Sequence, residues 1–157
     1  MTTDSTQTGR PLRVMLVYGT RPEAIKLAPL VAAMRDDERF NPIVVVTGQH
    51  REMLDQVHEF FGIVPDDDLD IHSPRQTLTQ ITNRCLQGVG QAIEAHRPDA
   101  VVVQGDTTSA FAAALVAFYH EVPVLHVEAG LRTGDISSPF PEEANRRLIS
   151  QVTALHL

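Results

Sequence analysis

Four short apolar runs rich in β-branched residues, spaced by helix-length segments, constrain this chain more than any other feature. They are Leu12-Arg13-Val14-Met15-Leu16-Val17, Ile43-Val44-Val45-Val46, Ala100-Val101-Val102-Val103 and Val122-Pro123-Val124-Leu125-His126-Val127. Runs that are apolar on both faces suit strands buried between two layers of helices, whereas a half-exposed antiparallel strand alternates. Between them, Thr77 to Arg97 carries Leu78, Ile81, Cys85, Leu86, Val89 and Ile93 at helical spacing, with Pro98 as a stop. Pro22 to Met34 reads as a helix that Pro29 is expected to bend, because proline removes a backbone donor. Arg51 to Phe61, closed by Gly62, and Asp106 to Tyr119 supply two more helices. Strand alternating with helix implies a parallel sheet with right-handed crossovers: an α/β, Rossmann-like three-layer domain.

At 157 residues and 43% hydrophobic content, the chain suffices for one core. Residues 1–11, polar and almost free of apolar side chains, are expected to form a loose tail, with the domain spanning 12–157. A net charge of −7 with scattered Lys and Arg argues against a nucleic-acid surface, so any phosphate contact must be local. Cys85 is the sole cysteine, so no internal disulfide forms, and no secretory signal opens the sequence; a cytoplasmic location is expected. No apolar stretch approaches the ~20 residues that span a bilayer. Asp66-Asp67-Asp68 reads as a solvated turn rather than a metal site, since no second ligand cluster lies beside it.

Ligands of open α/β sheets bind beyond the carboxyl ends of the strands. The first strand leaves through Tyr18-Gly19-Thr20-Arg21-Pro22-Glu23, where the following helix N-terminus offers amides and Arg21 and Lys26 could flank a phosphate. A solvated loop explains the same residues equally well, and nothing here matches the G-x-G-x-x-G of a dinucleotide fold. The Ala100 strand leaves through Gln104-Gly105-Asp106-Thr107-Thr108, where Asp106 can serve as a helix N-cap, a catalytic acid, or both. Glu128 ends an apolar strand with no capping role to play, so function is the better reading. His126, inside the same strand, reads as a satisfied core residue. Two prolines precede a helix whose first turn bears Glu142 and Glu143; the helix dipole accounts for at least one, and physical grounds do not choose between them.

Five ordered blocks carry a family resemblance: Gly19-Thr20-Arg21-Pro22-Glu23-Ala24-Ile25-Lys26, Gln49 to Val57, Gly105-Asp106-Thr107-Thr108, His126 to Gly134, and Ser138 to Arg146. Together they closely resemble the non-hydrolysing UDP-N-acetylglucosamine 2-epimerases, over nearly everything after Leu12. The resemblance implies the first half of a glycosyltransferase-B type fold, a site in the cleft between two Rossmann-like domains, and a homodimer. It implies a cofactor-free, metal-free reaction on UDP-N-acetylglucosamine, in which UDP is eliminated to give 2-acetamidoglucal and re-added after reprotonation at C2 from the other face.

By the same resemblance, Asp106, Glu128 and Glu142 match the catalytic acids, Glu142 being chosen over Glu143 by motif alone. Arg21 and Lys26 match positions that contact substrate, as do Asp106 and Glu128. Gln49, Glu52 and Arg75 match a regulatory site for a second UDP-N-acetylglucosamine, although Glu52 departs from the Gln of some members. The nucleotide-binding second domain is expected to be absent from this chain, which would leave it weak or inactive alone. The competing readings are a glycosyltransferase-B type sugar transferase, a hydrolysing 2-epimerase and a non-enzymatic, truncated nucleotide-sugar binding module.

Overall fold

The computed structural model describes residues 9–48, 51–71 and 73–157, without the side chains of residues 51 and 52. Strands and helices alternate: β1 (Leu12–Tyr18), α1 (Arg21–Arg35), β2 (Phe40–Val46), α2 (Arg51–Phe61), β3 (Asp67–Asp68), α3 (Leu78–His96), β4 (Ala100–Gln104), α4 (Thr108–Tyr119), β5 (Val124–Val127), α5 (Glu142–Val152) and β6 (Leu155–His156). The six strands lie in the order β3-β2-β1-β4-β5-β6, every pair parallel. This is the Rossmann-like sheet expected from the alternating pattern. The chain builds outward from β1 to β3, returns beside β1 as β4, and builds outward again, so a crevice opens between the exits of β1 and β4.

Both faces of the sheet are covered, which explains why the strands are apolar throughout. Val14, Leu16 and Tyr18 of β1 point into a cluster with Leu27 and Val31 of α1 and Leu54 and Val57 of α2. Met15 and Val17, on the opposite face, join Val89 and Ile93 of α3, Ala113 and Ala117 of α4 and Ile149 of α5. The two-residue alternation of a strand thus feeds two separate cores.

The helical stripe expected at Thr77 to Arg97 is α3. Thr77 caps it by accepting from the Gln80 amide, and Arg97 closes it at a φ of 47°. α1 runs unbroken through Pro29, which lies on its exposed side. Two expectations change. Asp66-Asp67-Asp68 is not simply a turn: Asp67 and Asp68 pair with Val45 and Val46 as the edge strand β3, and the Asp66 carboxylate accepts from the Val44 amide at 2.7 Å. An edge strand has one wet side, so acids that would be costly at the sheet centre are accommodated there. The helix expected from Asp106 begins at Thr108, and its cap is Thr107, which accepts from the Ala110 amide at 3.0 Å. Asp106 is therefore released from capping.

The first eight residues of the expected tail lie outside the described residues. Arg10, within its remainder, pairs both guanidinium nitrogens with Asp99 at 2.8 Å. No helix among the described residues is long and apolar enough to cross a membrane, and no group of three or more His, Cys, Asp and Glu among them could hold a metal ion.

Candidate active site

Three of the sequence-derived residues, Lys26, Asp106 and Glu128, converge at the carboxyl edge of the sheet. β5 ends at Val127, and Glu128 follows in the left-handed region at a φ of 61°, a conformation disfavoured for residues with a Cβ. Its carboxylate accepts from Lys26 of α1 and from the side-chain amide of Gln104, the last residue of β4. Its carbonyl accepts from Arg146 of α5, and a second guanidinium nitrogen of Arg146 pairs with the Asp106 carboxylate. The neighbouring Asn145 donates to the Asp106 carbonyl at 2.9 Å. One helix therefore holds the exits of β4 and β5 together, and Lys26 of α1 holds Glu128 from the other side.

Arg146 was not singled out by sequence reasoning, and neither was Gln104. The signal for Arg146 was its place four residues after Glu142, one turn along the same helix face. Its side chain is 6% exposed against 26% for Asp106, so the pair sits where solvent screens it only partly.

The two acids at the start of α5 separate cleanly. Glu143 is buried; its carboxylate accepts from the Thr133 amide at 3.0 Å and from Arg147 Nε at 2.7 Å. Those contacts, the amide foremost, hold its pKa below the ordinary value. Glu143 is thus committed to fastening the loop that follows β5. Glu142 is half-buried and its side chain makes no hydrogen bond or ion pair among the described residues. Arg132 fastens the same loop by donating to the carbonyls of Ala129 and Leu131 and to Ser150 Oγ. Beside Asp106, a cleft of about 250 Å³ is lined by Arg132, Thr133, Pro139 and Arg146, among others.

At the exit of β1, Arg21 is exposed and makes no ion pair among the described residues. The amides of Gly19 and Thr20 are not open to a ligand, because Glu23 Oε2 accepts from both, at 3.0 and 2.7 Å. The Thr20-Arg21-Pro22-Glu23 sequence has the spacing of a capping box, a signal that marks Glu23 as local structure. His126 is fully buried and its Nε2 lies 2.6 Å from the Gly105 carbonyl, in keeping with a core role; its Nδ1 has no partner among the described residues. Of the expected regulatory residues, Gln49 and the side chain of Glu52 lie outside the described residues. Arg75 is exposed at a φ of 60° in the loop between β3 and α3.

The fold and the site define a Rossmann-like domain with acids clamped by cations at its switch point, in place of a glycine-rich dinucleotide cradle. Comparison with known proteins specifies the family. The UDP-N-acetylglucosamine 2-epimerase family model matches residues 32–157. The UDP-N-acetylglucosamine 2-epimerase of Yersinia pestis is 56% identical over 145 residues, covering 92% of this chain and 39% of that protein. The crystal structure of the Neisseria meningitidis UDP-GlcNAc 2-epimerase bound to UDP-GlcNAc superimposes with a TM-score of 0.90 at 49% identity, over 93% of this chain and 39% of that one. MurG of Acinetobacter baumannii, at 16% identity and a TM-score of 0.65, shares the fold alone. The chain belongs to the UDP-N-acetylglucosamine 2-epimerase family, with the architecture of one half of a glycosyltransferase-B type fold. It spans about two fifths of the length of the curated relatives it matches.

Proposed function

We propose that this chain supplies the acid-bearing wall of a non-hydrolysing epimerase that interconverts UDP-N-acetylglucosamine and UDP-N-acetylmannosamine. The observation that carries the proposal is the clamp of Arg146 and Lys26 on Asp106 and Glu128, with Glu142 left unspent on the same helix as the clamp.

The chemistry requires such a set. The C2 proton is not beside a carbonyl, so it becomes removable only as the C1–O bond to the diphosphate breaks and positive character builds at C1. In the forward step a carboxylate takes the C2 proton, the C–H electrons form the C1=C2 bond of 2-acetamidoglucal, and the C1–O pair leaves with UDP. In the return step a diphosphate oxygen attacks C1 while an acid on the opposite face protonates C2. A single base would restore the starting sugar; acids on separate loops can flank the ring. Asp106, Glu128 and Glu142 serve as these acids. Arg21 and Lys26 contact the substrate, Arg21 as a free guanidinium matched to the charge that develops on the leaving diphosphate. No cofactor or metal takes part.

Gln49, Glu52 and Arg75 form part of a regulatory site for a second substrate molecule. The same reading includes a homodimer, a cytoplasmic setting, residues 12–157 as the amino-terminal domain, and a second Rossmann-like domain that holds the uridine nucleotide. The 157 residues taken by themselves bind weakly and turn over little. Calorimetry of the 157-residue chain with UDP-N-acetylglucosamine tests this: weak binding, further reduced in Arg21→Ala and Asp106→Asn, is expected. Robust epimerisation by this chain alone would refute the need for a second wall.

A further inference from the structure

Glu23 is a buried acid that no step above uses. It is 2% exposed, at the switch-point crevice where β1 and β4 diverge. Both of its oxygens are filled: Oε2 by the Gly19 and Thr20 amides, and Oε1 by the Thr107 hydroxyl at 2.6 Å. Burial is the strongest influence and leaves its pKa above the ordinary value, although Thr107, the Gly19 amide and Thr20 pull it down. The Gly19 and Thr20 amides and the Thr107 hydroxyl all converge on this one carboxyl group.

Thr107 cannot be exchanged freely within this arrangement. Its single proton goes to Glu23, and its oxygen accepts from the Ala110 amide as the cap of α4. A chain of hydrogen bonds thus runs from the loop after β1, through Glu23 and Thr107, to the residue adjoining Asp106. The packing beside it is equally close. A Cβ at Gly19 would stand 2.2 Å from Thr47 Oγ1 and 2.8 Å from Ser109 Oγ, and those two hydroxyls are 3.0 Å apart. Two hydrogen bonds, Thr107 to Glu23 and Thr47 with Ser109, thus tie the exits of β1 and β2 to the start of α4.

We infer that Glu23, through Thr107, is a positioning residue that fixes the Asp106 loop relative to the loop bearing Arg21. It occupies the amides at which a Rossmann-like domain would otherwise seat a phosphate, so anion recognition at this exit passes to the Arg21 side chain. A capping box accounts for the Thr20 amide bond but not for the Thr107 bond, which crosses 84 residues of sequence to the other loop. The inference rests on the proposed role of Asp106 for its functional meaning, but its geometry can be tested separately.

The experiment uses the 157-residue chain, isotopically labelled, with the Asp106 carboxyl resonance assigned by its loss in Asp106→Asn. Glu23→Gln keeps the volume but turns an acceptor into a donor facing Thr107; Thr107→Val removes the hydroxyl, and Thr107→Ser retains it. Expected are a displaced Asp106 resonance in Glu23→Gln and in Thr107→Val, no further displacement in the double variant, and recovery in Thr107→Ser. Exchange of the Gly19 and Thr20 amides should also quicken about tenfold or more in Glu23→Gln. A folded Glu23→Gln chain whose Asp106 resonance does not move overturns the inference, and that variant decides alone if Thr107→Val folds poorly. A purely structural role would lower the unfolding midpoint and leave Asp106 unmoved. Titration with UDP-N-acetylglucosamine separates the two claims. If the ligand fails to bind while Asp106 responds to Glu23, the functional proposal falls and the positioning role stands; if it binds while Asp106 ignores Glu23, the reverse holds.

Discussion

Replacing Arg146 by Met should strip the clamp from both strand exits while keeping the apolar stem that packs beneath them. Arg146 makes one charge-assisted hydrogen bond, to Asp106, worth roughly 1.5–3 kcal/mol, and one to the Glu128 carbonyl, which loses its partner at a cost of about 1 kcal/mol. Breaking a buried ion pair costs about 3–5 kcal/mol, but Asp106 is 26% exposed and recovers part of its hydration, so the low end, about 3 kcal/mol, applies. With a urea dependence of about 2 kcal/mol/M for a domain of this size, the unfolding midpoint should fall by about 1.5 M. The assay is equilibrium urea unfolding followed by circular dichroism, repeated in an Asp106→Asn background. The carboxamide that replaces the Asp106 carboxylate in that background can still accept from Arg146 but carries no charge, so the cost of Arg146→Met should shrink there by about 1.5 kcal/mol. A midpoint shift below about 0.3 M, or an equal shift in both backgrounds, would refute the clamp.

Gly19→Ala should destabilise the chain by about 1–3 kcal/mol, because its methyl would meet Thr47 and Ser109 well inside contact distance; thermal melts measure this. Cys85 is fully buried in contact with Ser109, and burial pushes its thiol up to about 11, so iodoacetamide should leave it unmodified at about pH 8 until the chain unfolds. Glu143 has a depressed pKa in the folded state, so the stability it contributes is present above the ordinary value of 4.5 and is lost as pH falls through its folded value. Glu143→Gln should therefore flatten the acid limb of the stability profile and speed amide exchange at Thr133 at neutral pH.

The layered fold was legible because it rests on local pattern. Burial on both strand faces shows as unbroken apolar runs, and the stripe from Ile81 to Ile93 shows as helical period. β3 was hidden because only two residues pair, both acidic, and their strand conformation is imposed by β2 rather than by their own preference. Asp106 and Thr107 are both competent caps, so sequence offered no means of knowing that the threonine takes the helix and frees the acid. The choice between Glu142 and Glu143 was likewise closed to local reasoning. What the fold adds is Thr133, ten residues back in the loop, whose amide engages Glu143, while the Glu142 side chain has no hydrogen bond or ion pair among the described residues. Arg146 and Glu23 act across the fold, on partners 40 and 84 residues away, and only the assembled sheet brings them together.

The acids of this chain should epimerise C2 when they face the second wall of a complete cleft. Joining residues 12–157 to the remaining portion of a full-length relative such as the Yersinia pestis protein, and following UDP-N-acetylglucosamine by NMR in deuterated water, tests it most directly. Deuterium at C2 and the appearance of UDP-linked N-acetylmannosamine are expected, both lost in Asp106→Asn and in Glu142→Gln. A folded, UDP-binding chimera that leaves C2 protonated, or that continues to exchange without Asp106, would contradict it.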